Sequence, residues 1–190
     1  MRLAWQVELG RRWTEPHRRH HNIDHLREVL DALEVLATDG LAFDKALVRR
    51  AAWFHDAVYD VHRDDNEELS AELARQILTG AMGERVAELV MITKSHEPDP
   101  EDPDAAALCD ADLSILGSSE ARYLQYTTDI RAEYEHVPEP TFRSTRAALL
   151  MDLLRHPCLY TSTEGQDRWE ITARANVGAE VARLTSAYGA

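Results

Sequence analysis

An all-α fold is predicted by three properties of this sequence. Apolar residues recur at helical spacing along nearly its whole length, no stretch shows a convincing β-branched alternation, and Gly and Pro punctuate the periodic segments. At 190 residues the chain suits one domain, residues 1–190, with a core large enough to fold without disulfides. No internal repeat, low-complexity tract or long linker argues for a second domain.

The first periodic segment starts at Asn22, where Leu26, Val29, Leu30, Leu33, Leu36 and Ala37 form one stripe, and ends at Asp39-Gly40, with Gly40 fit for a left-handed cap. Asp44 can cap the next helix. Its central part, AAWFHDAVY, is apolar nearly all round, so neighbours should enclose it and bury His55 and Asp56. A further helix is expected from about Asp65 to Met82, stopped at Gly83, and another from Glu84 toward His96. The segment Glu97 to Asp104, EPDPEDPD, carries three prolines and reads as an acidic surface loop. Beyond the apolar stretch around Asp112 and a stop at Gly117, a helix capped by Ser118 or Ser119 should run toward Val137, where Pro138 and Pro140 break the chain. Two last helices are expected around Phe142 to Arg155 and Glu164 to Ala187.

The formal charge of −13, from 34 acidic and 21 basic residues, repels nucleic acid and anionic membrane and argues against a nucleic-acid scaffold. Cys109 and Cys158 are far apart and outside any CxxC spacing, which suits reduced thiols. The N-terminal stretch has no apolar core followed by a small-residue cleavage site, and no apolar run approaches membrane-spanning length. A soluble, cytoplasmic protein without a membrane partner is expected, and a homo-oligomer is compatible with the sequence.

The chemistry is concentrated in His21 and His25 of HNIDH, in the adjacent His55-Asp56, and in Asp112 of DADLSILG. A carboxylate in an apolar helix costs several kcal/mol, roughly, unless a cation or strong donors offset it. Buried salt bridges or helix caps could do so. So could a metal, and imidazole with carboxylate is the ligand set for a divalent ion that also holds water and a phosphate. No thiolate belongs to the set, which favours Mn, Fe, Co, Ni or Mg over a closed structural zinc.

In order and spacing, H(21)NIDH(25), then His55-Asp56, then Asp112 resembles the H…HD…D signature of the HD superfamily of metal-dependent phosphohydrolases. The HNxxH spacing followed by DLS is similar to cyclic-nucleotide phosphodiesterases, which share that helical core. RxxHNxxH, WFHDAVYD, DNEExSA, ITxSH, DADLSILG and the late ARAN resemble a bacterial group of small predicted HD phosphohydrolases, from about Glu15 to Asn176. The resemblance implies an HD-like helical bundle and makes His25, His55, Asp56 and Asp112 the metal ligands. It gives His21 the position of proton donor to the leaving group, while His20 stands where phosphodiesterases have tyrosine.

The implied activity is hydrolysis of a phosphate ester, a nucleotide or another small phosphorylated metabolite. Asp56 would orient the attacking water and His21 would protonate the departing oxygen. Arg18 is a candidate for bidentate phosphate binding and His96 for the phosphate or a second ion. Asp60, Asn66 and Glu67 are candidates to support the His55-Asp56 pair from behind. Two other classes share the core signature: HD-type di-iron oxygenases, which need more histidine ligands, and modules that sense a nucleotide without turning it over.

Overall fold

The computed structural model describes residues 4–186, which form helices joined by turns and loops and no strand. In chain order these are α1 (Ala4–Arg12), α2 (Ile23–Asp39), α3 (Lys45–Phe54), α4 (Asn66–Ile77), α5 (Ala81–Ile92) and α6 (Pro103–Asp112). A 3₁₀ turn, Leu113–Gly117, leads into α7 (Glu120–Glu133), α8 (Glu139–Leu153) and α9 (Thr163–Thr185). The architecture of the described residues is an all-α bundle. Ala187, the expected end of the last helix, lies outside the described residues. None of the described helices is long and apolar enough to cross a membrane.

Two buried clusters organise the bundle. One joins α1 to α6 around Leu9, Trp13, Leu33, Phe54, Leu89 and Leu108, and the other joins the 3₁₀ turn to α7, α8 and α9 around Leu116, Tyr123, Leu150 and Val177. Trp169 of α9 packs against both. Gly117 lets α9 come this close, since a Cβ there would stand 2.5 Å from Cβ of Trp169.

Asn22 caps α2, its side chain accepting from the N–H groups of Asp24 and His25, so His21 stands just before the helix rather than on its first turn. At the other end Gly40, at φ 122°, returns its N–H to the carbonyl of Leu36. Asp44 caps α3 as its sequence suggests. That helix stops at Phe54, however, and His55-Asp56 emerge at its C-terminal end instead of mid-helix. Side chains take up the freed carbonyls: Nδ1 of His55 bonds Ala52 O at 2.9 Å and Nε1 of Trp13 bonds Trp53 O at 3.0 Å.

Two expectations fail for local reasons. The helix expected to run to Met82 ends at Ile77, because the backbone turns at Gly80 with φ 71°, and Gly83 lies inside α5. Gly83 answers a different need: a Cβ there would overlap the carbonyl oxygen of Leu78, at 1.6 Å. Within EPDPEDPD, Asp102 caps and Pro103 begins α6, a helix whose apolar residues surround it and bury it, so periodicity gives no stripe. The first helix, α1, was also not marked by a stripe, yet it supplies Leu9 and the chain after it Trp13 to the core.

Candidate metal centre

Four side chains from three places in the fold converge. His25 projects from the first turn of α2, His55-Asp56 follow α3, and Asp112 ends α6. Nε2 of His25 lies 3.3 Å from Nε2 of His55. Oδ1 of Asp112 is 3.0 Å from the first nitrogen and 3.4 Å from the second, and Oδ2 of Asp56 is 3.9 and 3.2 Å from them. Ligand atoms of His25, His55 and Asp56 all lie within 4.8 Å of one another.

The donor set itself tests whether a divalent cation fits. Nδ1 of His55 bonds a backbone carbonyl and so carries the proton of the neutral ring, which turns the lone pair of Nε2 toward the cluster. Two imidazole nitrogens and two carboxylates thus point electron pairs at one another in a buried place. Burial alone would lower the pKa of His55, but Asp56 and Asp112 outweigh it and hold the imidazole well above its usual value. Burial would likewise raise Asp56 and Asp112, and His55 above all holds both below the usual carboxylate range. The cluster therefore favours positive charge at its centre, which a divalent ion held by these residues would supply in place of a proton.

His21 sits beside this cluster under tight control. Its Nδ1 is 2.7 Å from Oε2 of Glu133, and its ring stacks on Tyr59 with centroids 4.1 Å apart. Glu133, the last residue of α7, also accepts three consecutive backbone N–H groups through Oε1, from Arg19, His20 and His21, at 2.8 to 3.0 Å. Tyr59 donates its hydroxyl to Oε2 at 2.9 Å. Burial alone would raise the pKa of Glu133, yet the hydrogen bond from His21, its charge and the backbone donors bring it down to about 2. Burial would lower His21, and the Glu133 contact followed by the charge of Asp56 raises it. One carboxylate thus fixes the HNIDH turn and the orientation of its first histidine.

His96 is the one non-glycine described residue with positive φ, at 53°. This left-handed backbone follows α5 and brings Nε2 of His96 within 2.9 Å of Oδ2 of Asp112. Asp112 thereby faces the histidine pair with one oxygen and His96 with the other.

His21, His25, Asp56, His96 and Asp112 open onto a cleft of about 630 Å³ lined also by the 3₁₀ turn, α7 and α8, and His55 lies buried behind them. That volume suits a small metabolite. Residues 22–114 match the family described as HD domain. Over that stretch the chain is similar to HD domains. No curated protein and no solved structure matches the chain.

The HD domain match takes in α2 to α6 and every member of the four-residue cluster, whereas Glu133 and the outer wall of the cleft come after it. The DNEExSA segment supports the HD pair through the backbone. Asn66 bonds both N–H and carbonyl of Asp60, and Ser70 does the same for Val58, pinning the strand of chain that leaves Asp56. The carboxylate of Asp60 turns away to the N–H of His62. Glu67 lines the cleft, 4.0 Å from Nζ of Lys94.

Arg18 does not present a free guanidinium to a phosphate. Its side chain is buried, donating to Glu15 and to the carbonyls of His21, Asp56 and Ala57, between the rings of Trp13 and Tyr59. It ties the HNIDH turn to the HD turn, and this replaces the expected phosphate contact. Asn176 of the ARAN segment has a related task, donating to the carbonyls of Leu116 and Ser118 and so holding the 3₁₀ turn that follows Asp112. Glu133 and His156, which also lines the cleft, were not singled out by the sequence. Glu133 gives no local signal, since its partners stand 74 to 114 positions away.

Proposed function

We propose that this protein is a metal-dependent phosphohydrolase acting on a phosphate ester, a nucleotide or another small phosphorylated metabolite. The observation that carries the reading is the convergence of His25, His55, Asp56 and Asp112 at a cleft where Glu133 holds His21 in place. A bound divalent ion supplies Lewis acidity toward a phosphoryl oxygen and toward water. His25, His55, Asp56 and Asp112 would hold it, with Mn, Fe, Co, Ni and Mg as the ions suited to two nitrogens and two carboxylates.

The residues around that position have separable tasks. Asp56, at the rim of the cluster, accepts a hydrogen bond from the attacking water and orients it toward phosphorus. As the water oxygen bonds to phosphorus, the bond to the leaving oxygen breaks and His21 delivers a proton to that oxygen. Glu133 keeps His21 charged before the transfer and fixes its ring. His96, held by Oδ2 of Asp112, gives the substrate's phosphoryl group a further polar edge.

The experiment is a screen of phosphate mono- and diesters with each of the five metals, alongside elemental analysis of the purified protein. Metal-dependent phosphate release that Asp56→Ala abolishes is the expected result. Two irons per chain with oxygen consumption and no phosphate release would replace this reading with an oxygenase. Stoichiometric nucleotide binding without turnover would replace it with a sensor.

A further inference from the structure

Building on the hydrolase reading, we propose that the substrate carries a single phosphoryl group on a largely apolar arm, and that a second phosphate or other anionic group along that arm is selected against. The lining of the cleft carries this inference. Ile115 and Leu116 from the 3₁₀ turn, Tyr126 and Ile130 from α7, and Leu149 and Leu153 from α8 line it. These are apolar or aromatic surfaces on three consecutive elements beyond Asp112, suited to a ring or hydrocarbon.

The charged lining is of the wrong sign for a polyphosphate. Besides Asp56 and Asp112, the cleft is bordered by Asp64, Glu67, Glu97 and Asp152. Its arginine and lysine side chains are Arg63, Lys94 and Arg146, and each is already engaged by an acidic side chain. Arg63 grips both oxygens of Asp65 at 2.7 Å. Lys94 bonds Glu68 at 2.6 Å and the carbonyl of Asp64 at 2.7 Å. Arg146 bonds Glu180 at 3.0 Å and the hydroxyl of Tyr126 at 2.9 Å. The divalent ion draws one phosphoryl group to the cluster, whereas a second anionic group along the arm would face Asp64, Glu67, Glu97 and Asp152 beside arginine and lysine side chains that are already paired. The apolar wall, by contrast, gains from every ring carbon it covers.

Three non-hydrolysable phosphonates separate the terms by calorimetric binding to the protein loaded with its divalent ion. Methylphosphonate has no arm, benzylphosphonate an apolar arm, and propane-1,3-diphosphonate a charged one. Benzylphosphonate should bind about ten-fold tighter than methylphosphonate, and propane-1,3-diphosphonate no tighter than methylphosphonate. Leu149 lines the cleft yet is 58% exposed, so Leu149→Arg should fold normally. This variant should reverse the order, favouring propane-1,3-diphosphonate over benzylphosphonate. A wild-type protein that binds propane-1,3-diphosphonate most tightly overturns the inference and leaves the hydrolase reading standing. Metal-loaded protein that binds none of the three overturns both.

Discussion

Asp110 and Asp112 stand two residues apart at the end of α6, where helical rotation turns them about 200° from one another, and the bundle treats the two carboxylates in opposite ways. Asp110 faces the start of α9. It accepts the backbone N–H groups of Thr161 and Ser162 at 2.7 and 2.8 Å, together with the Ser162 hydroxyl, and Gly165 is required there because a Cβ would come within 2.5 Å of its Oδ2. Asp112 faces the cleft, and its side-chain partners are imidazoles, those of His25, His55 and His96. A carboxylate surrounded by N–H and O–H donors is a fastener between helices. A carboxylate surrounded by imidazole nitrogens calls for a cation. Glu133 belongs with Asp110, since it gathers three backbone donors, a tyrosine hydroxyl and one histidine.

That division can be sharpened by substitutions on either side. The largest effect should follow His21→Ala, which keeps the metal but removes the proton donor. Turnover of esters with poor leaving groups should fall about 10²- to 10⁴-fold, and activated aryl phosphates should suffer much less. Equal losses on both substrate types would remove His21 from the role of acid.

Asp110→Ala should leave metal binding intact and cost stability instead. It strands the N–H groups of Thr161 and Ser162, with an expected loss of about 3 kcal/mol and a fall in Tm of roughly 10 °C in a chain of this size. A variant with unchanged Tm would show that the α6–α9 contact is not a fastener.

Glu133→Gln should alter how stability depends on pH in metal-free protein. Folding lowers Glu133 from 4.5 to about 2, so its contribution is present above about pH 4.5 and is lost as pH falls toward 2. His21 is shifted the other way, upward from 6.5, so its contribution is complete below that value and is lost as pH rises through the raised value. The pair is therefore most stabilising between about pH 4.5 and 6.5. Denaturant unfolding across pH 2 to 9 should show that maximum in wild type and a flatter profile in Glu133→Gln.

Arg18→Lys should produce the smallest change. An ammonium cannot span the carbonyls of His21, Asp56 and Ala57, so stability should drop by about 2 kcal/mol. KM for the substrate should move less than about two-fold, because the guanidinium holds backbone rather than phosphate. A large rise in KM with unchanged Tm would restore Arg18 as a phosphate ligand.

The candidate cluster was legible because the chemistry of its members is written locally. His and Asp in the company of Ala, Phe and Leu are conspicuous at residues 25, 55, 56 and 112, and the structure draws these four together. The fasteners were not legible for the opposite reason. Glu133 looks like any acidic residue on an exposed helix face until the HNIDH turn folds over it. Arg18 reads as a phosphate ligand because its true partners are carbonyls, which every residue has. The fold was legible wherever a helix has one apolar stripe, as in α2. It was obscured in α6, where apolar residues surround Asp110, and around Gly83, whose glycine serves close packing rather than a stop.

The most direct test is a calorimetric titration of a divalent ion into Asp110→Asn and Asp112→Asn side by side, each first shown to be folded by circular dichroism. The account predicts that Asp110→Asn binds the ion as wild type does, while Asp112→Asn loses affinity by at least about 100-fold. Equal affinities in the two variants would contradict it, because Asp112 would then be another fastener and the cluster would not be a metal centre.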